Sequence, residues 1–196
     1  MWRLSTPAEV PSYSFRPSLL GAPRNLKLLA GGVAWEAGDK SGEISYRAVR
    51  RMRLSFRPIS MQSQRFMAEL WAEGAPKLTI VSSSWKSMVE QVRQDRPYRD
   101  FIVELHRRVA AAGATVSYTR GTSPLTYWPG LAVFAAVSLA SAALLVRALQ
   151  AHALGGAAFV GGFLALFLWQ AGNFFRRNRP GHYAPAALPA ELLPKA

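Results

Sequence analysis

The residues best equipped for chemistry in this chain are arginines. Arg47, Arg50, Arg51, Arg53 and Arg57 fall within eleven positions. Alternate residues of a strand share a face, so Arg51, Arg53 and Arg57 can project together. A guanidinium offers a planar fork of donors that matches phosphate or carboxylate. Arg47, Arg51, Arg53 and Arg57 are therefore the candidate surface for anionic lipid or for a partner. A solvated basic face that only keeps the domain soluble stays open beside that reading.

Other chemistry is thinly provided. The chain has no cysteine, and its three histidines are His106, His152 and His182. None sits at metal-ligand spacing with Asp or Glu. Ser82-Ser83-Ser84 lacks the flanking glycines of a nucleophile elbow and reads as a helix cap. Gly31-Gly32, Gly155-Gly156 and Gly161-Gly162 are not followed by the Lys-Ser/Thr of a phosphate loop. Glu43, Glu69, Glu73, Glu90 and Glu104 are scattered, with no spacing that marks an acid–base pair. The expectation is no catalytic residue, no cofactor and no metal, in a protein that is not an enzyme.

Charge placement organises the rest. The 196 residues carry a net charge of +13 and are 50% apolar, with a mean hydropathy of only +0.06. That average hides two unlike parts. Residues 1–126 carry a net +9 and residues 127–196 a net +4. From Gly121 to Val146 there are 26 residues without a charge, and 28 more follow from Ala148 to Phe175. A bilayer core needs about 20 apolar residues of helix, so two spans are expected, at 127–147 and 154–175. Tyr127, Trp128, Trp169, Phe174 and Phe175 lie near the expected interfaces. Arg176, Arg177 and Arg179 form a basic stop after the second span. The absence of Asp, Glu and Lys from both spans argues against a transporter or channel. Small residues are dense in both spans, which suits hairpin packing or an oligomer interface.

Orientation follows from the same arginines. The positive-inside rule puts both termini in the cytoplasm. Residues 1–10 show no apolar signal-peptide core. The expected location is a bacterial inner membrane, as a multi-pass protein.

Residues 1–24 are rich in proline and read as an irregular lead-in. Residues 25–35 form an apolar run that ends in a Gly/Asp turn cluster. Ile44, Tyr46, Val49, Met52, Leu54 and Phe56 alternate as two short strands with a bend between them. Phe66, Ala68 and Leu70, then Gly74-Ala75-Pro76, then Leu78 and Ile80 predict a hairpin. Trp85, Met88, Val89 and Val92 fit a short amphipathic helix. Tyr98, Phe101, Ile102, Leu105 and Val109 fit a longer one, opening at Pro97 and ending at Gly113. Thr115 to Tyr118 is a candidate last strand. The tail, 176–196, is basic and proline-rich. Its Tyr183, Leu188, Leu192 and Leu193 are apolar for a free tail, so docking, partner binding and disorder all stay open.

This order is α+β. Ile44-Ser45-Tyr46-Arg47-Ala48-Val49 with Met52-Arg53-Leu54, and the helix Tyr98 to Arg108, resemble the bacterial pleckstrin-homology-like (PH-like) domains fused to membrane helices. The resemblance covers residues 25–112. It implies an antiparallel β-sheet or barrel closed by a C-terminal helix, here a domain over 25–120 followed by the hairpin. The function expected is non-enzymatic binding or scaffolding at the cytoplasmic membrane face, as an accessory subunit of a membrane complex. The partners expected are the lipid bilayer and a protein partner or a second copy of the chain. Nucleic acid is not an expected partner. The rival is a component of an enzyme or transport assembly whose site forms only with partners.

Overall fold

The computed structural model describes residues 10–57, 64–86 and 90–195. The fold is mixed α+β. β1 (Ser12–Phe15), β2 (Arg24–Leu28), β3 (Gly32–Ala37) and β4 (Lys40–Ser45) make an antiparallel four-stranded sheet in chain order. A 3-10 turn at Tyr46–Ala48 then carries the chain into β5 (Val49–Phe56) of a second sheet. That sheet also holds β6 (Phe66–Ala72), β7 (Leu78–Val81), β10 (Ser117–Arg120) and β11 (Gly181–His182), in the order β11-β10-β5-β6-β7. A small hairpin of β8 (Ser83–Trp85) and β9 (Gln91–Arg93) precedes the helix α1 (Asp95–Ala111). Two long helices, α2 (Pro124–Gln150) and α3 (Leu154–Arg177), lie between β10 and β11.

The sheets cover one face of α1. Its Tyr98, Phe101, Ile102, Leu105 and Val109 are all buried, as the 3.6-residue period requires. They join Tyr13, Leu28, Ile44, Met52, Leu54, Leu70 and Ile80 in one core. Arg108 on α1 donates to the carbonyls of Leu28 and Leu29, both at 2.9 Å, and so fastens the helix to the first sheet. Gly113, with φ at +70°, follows the helix end.

Several expectations need correction. The sheets do not close into a barrel, because the 3-10 turn separates β4 from β5 and the two strands do not pair. One pairing, β10 on β5, is parallel. The apolar run 25–35 is two paired strands, β2 and β3, rather than one. The lead-in contains β1, which buries Tyr13 and Phe15. The helix expected at Trp85 to Val92 is instead the β8–β9 hairpin, with Met88 and Val89 outside the described residues. The serines explain this. Ser82 Oγ accepts from Phe66 N–H at 3.0 Å, and Ser84 Oγ accepts from Arg16 N–H at 3.0 Å. They serve distant backbone rather than cap a helix. α1 begins at Asp95, two residues before Pro97.

The long helices differ from α1 in having almost no cover. Only 6% of the apolar stretch of each is buried, and each is long and apolar enough to cross a membrane. At 1.5 Å per residue they extend about 40 Å and 36 Å, against a hydrocarbon core of about 30 Å. The turn between them is residues 151–153. They pack through Phe134 against Phe167 and Phe175, with ring centroids 5.2 Å apart in each pair. Gly130 lies under Phe175, and Gly161 under Leu145.

The tail docks. Leu192 and Leu193 enter the core of the sheet domain. Arg99 donates to the Pro194 carbonyl at 2.9 Å, and Arg120 pairs with Glu191 at 2.7 Å. Tyr183 meets the buried His106 of α1 at 2.7 Å. The other ring nitrogen, Nδ1, lies 2.7 Å from the Ile102 carbonyl, which can only accept. Nδ1 therefore carries the proton, and Nε2 accepts from the Tyr183 hydroxyl.

The joint between hairpin and sheet domain centres on Asn178, which is fully buried. Its Oδ1 accepts from Phe56 N–H at 2.9 Å, and its Nδ2 donates to Phe56 O at 2.7 Å. Nδ2 also reaches Phe174 O at 3.1 Å, closing the end of α3. The side-chain amide thus stands where the next residue of a neighbouring strand would pair with β5. Gly121 N–H extends the ladder to Leu54 O at 2.8 Å, and Thr122 N–H reaches Asn178 O at 3.0 Å. Gly121 has φ at +76°, and a Cβ there would collide with the carbonyl oxygens of Asn178 and Arg179.

Two predictions follow from this packing. Asn178→Ala leaves both polar groups of Phe56 buried without partners, at about 1–3 kcal/mol each. Thermal unfolding of the full chain in detergent should shift down by several degrees. Burial holds the His106 pKa near 4, although its bond to Ile102 opposes the shift. In the unfolded chain it titrates near 6.5, so the unfolded state binds the extra proton first as pH falls. Stability is therefore full above about pH 6.5 and declines toward pH 4 by about 3 kcal/mol. Unfolding followed across that range should show the slope in the native chain, and a shallower one in His106→Gln. Glu104, held near pKa 2 by its bond to Arg107 and then Arg108, adds a loss of its own that begins as pH falls through 4.5, so it overlaps only the acid end of that window.

Candidate functional site

Of the four arginines singled out in the sequence, the fold brings two together. Arg51 and Arg53 project from the outer face of β5, while Met52 and Leu54 turn into the core. Arg47 lies in the 3-10 turn before β5, and Arg57 lies past its end. Arg50 leaves the group differently, through a two-pronged bond to Glu73 with both contacts at 2.8 Å. That exposed pair lowers the Glu73 pKa, through the hydrogen bond first and the charge of Arg50 second.

Trp71 on β6 organises the basic face. The guanidinium of Arg53 stands 5.0 Å from its ring centre, that of Arg51 5.6 Å, and the Lys77 ammonium 5.0 Å. The negative face of an indole holds cations. One carboxylate serves this group. Glu69, buried beneath it, pairs with Arg53 at 2.9 Å and also with Lys77. Arg51 makes no ion pair among the described residues. Three cations against one anion leave this face with excess positive charge.

Beside that face lies a cleft of about 540 Å³. Its walls come from β5, β10 and β11 and from the chain entering α2 and leaving α3. Across the strands, Arg53 sits opposite Thr119, and Thr119 opposite His182; Arg51 sits opposite Ser117. Neighbouring strands are about 4.8 Å apart, so these groups form a polar row. Arg120, Thr122, Ser123, Pro124, Pro180 and Gly181 complete the lining, which holds no Asp or Glu. Ser123 stands at the N-cap position of α2, yet its side chain makes no capping bond.

The basic stop is at the end of α3. Arg176 is exposed and lies 3.4 Å from Asn173 Oδ1. Arg177 folds back over the Phe56 ring, 4.7 Å from its centre, and Arg179 is exposed. Of the histidines, His106 is part of the tail latch, His152 is in the turn between the long helices, and His182 lines the cleft. Among the described residues, no group of three or more His, Asp or Glu is placed to hold a metal ion.

Sequence reasoning missed Trp71, Lys77, Arg120 and His182 as companions of Arg51 and Arg53. Nothing in local spacing links positions 53, 119 and 182; only strand pairing does. Asn178 was also missed. Its one signal is a neutral amide set between Arg177 and Arg179 at the end of an apolar run.

Compared with known proteins, the chain matches no family model, no curated protein and no solved structure.

Proposed function

We propose that the chain is a two-span membrane protein that presents its sheet domain at the cytoplasmic face. Its work is binding rather than catalysis. The observation that carries this reading is the hairpin, uncovered over nearly all its apolar surface and leaving the sheet domain from two strands that pair with each other. A soluble protein would have to bury such a surface, since exposed apolar patches of that size mark a contact with lipid or protein. The basic residues accord with the orientation. The sheet domain is strongly positive and Arg176, Arg177 and Arg179 follow α3, whereas the far turn has only Arg147 beside it. The PH-like resemblance belongs to this reading as a proposal for the sheet domain, with α1 as its closing helix. A protein partner or second copy would meet the exposed sheet edge or the basic face.

The chain has no cysteine, so single cysteines report cleanly. Ser41→Cys in the exposed β3–β4 turn region and Gln150→Cys beside the far turn are labelled with an impermeant maleimide on intact and opened cells. Position 150 should react from outside, and position 41 only after the membrane is opened. Labelling of both from the same side would contradict the two-span reading.

A further inference from the structure

We propose that the cleft at the base of the hairpin binds the phosphate of an anionic lipid headgroup. The inference rests on the two-span reading above and deepens it. Its first support is chemical. Arg51 offers planar donors suited to phosphate oxygens and has no carboxylate partner among the described residues, while Arg53 beside it gives its Nε to Glu69. Ser117, Thr122 and Ser123 add hydroxyls along the same walls, whereas the Thr119 hydroxyl donates to the Met52 carbonyl. The Ser123 hydroxyl is not consumed in capping α2, so it is open to an anion. No Asp or Glu is among the lining residues, although Glu69 pairs with Arg53 and Glu191 with Arg120.

The second support is position. Thr122, Ser123 and Pro124 lead into one span, and Pro180 and Gly181 follow the other. The cleft therefore opens where the chain passes from water into lipid, the depth at which lipid phosphates lie. A free phosphoanion shares the chemistry but not that placement. The volume, about 540 Å³, is in the range of small-molecule sites.

The test uses the full-length protein in a zwitterionic detergent, followed by isothermal titration calorimetry. The titrants are dioctanoyl phosphatidylglycerol, dioctanoyl phosphatidylcholine and inorganic phosphate. Phosphatidylglycerol should bind saturably and weaken with salt. Arg51→Gln should weaken it about fivefold, the effect of one basic residue at an anionic surface. Arg57→Gln, which lies off the cleft, should leave it unchanged. Arg51 has no ion pair to lose among the described residues, only its contact with Trp71, so its variant should unfold within a few degrees of the native temperature; Ser123→Ala provides a second, uncharged probe with the same expected direction. Equal binding of phosphatidylcholine would overturn headgroup recognition. Phosphate binding as tight as the lipid's would overturn the lipid assignment in favour of a soluble phosphoanion. Full affinity in both the Arg51 and Ser123 variants would overturn the cleft. Because binding is read in detergent, it is independent of topology. Lost binding with correct cysteine labelling removes the cleft alone; wrong labelling removes the two-span reading.

Discussion

The structure depends on a requirement of backbone pairing at one strand end. β5 must satisfy its polar groups past Leu54, where β10 stops, and it does so with the amide of Asn178. That amide belongs to the residue that ends α3, and the same side chain closes the last turn of that helix. One buried side chain therefore finishes a sheet and a helix together. Gly121, on the opposite branch, can stand there only because it lacks a Cβ. The hairpin is thereby fixed to the sheet by its two roots instead of hanging from a linker. Buried backbone groups seldom go unpaired, so the joint carries the orientation of α2 and α3 relative to the sheet domain.

The tail is held by the same logic. After α3, β11 pairs with β10, Tyr183 meets His106, and Leu192 and Leu193 fill the core. The chain leaves the domain, forms the hairpin and returns to complete the domain it left. This return also builds the cleft, since His182 reaches Thr119 only after the hairpin has been made. The electrostatics follow. Glu69 answers two cations and Glu191 one, while Arg51, at the cleft wall, has no ion pair among the described residues.

Elements defined by local periodicity were legible in the sequence. The apolar face of α1, the β6–β7 hairpin and the two long helices could all be read from spacing. The β8–β9 hairpin could not. Trp85, Met88, Val89 and Val92 satisfy a helical period, but Ser82 and Ser84 bind distant strands, which local spacing does not show. For the site, the pairing of Arg51 with Arg53 was visible from strand parity. Their companions at 71, 119, 120 and 182 come from cross-strand register between segments far apart in the chain. The tail was ambiguous for a related reason: its leucines are apolar, but the core that receives them is assembled by other segments.

The Asn178 joint holds hairpin and sheet domain in one relative orientation. Double electron–electron resonance between spin labels at Ser41→Cys and Gln150→Cys, in full-length protein reconstituted in nanodiscs, reads that orientation. One narrow distance distribution is expected, broadened when Asn178→Ala is added. A distribution already broad in the presence of Asn178, or one that Asn178→Ala leaves unchanged, would contradict it.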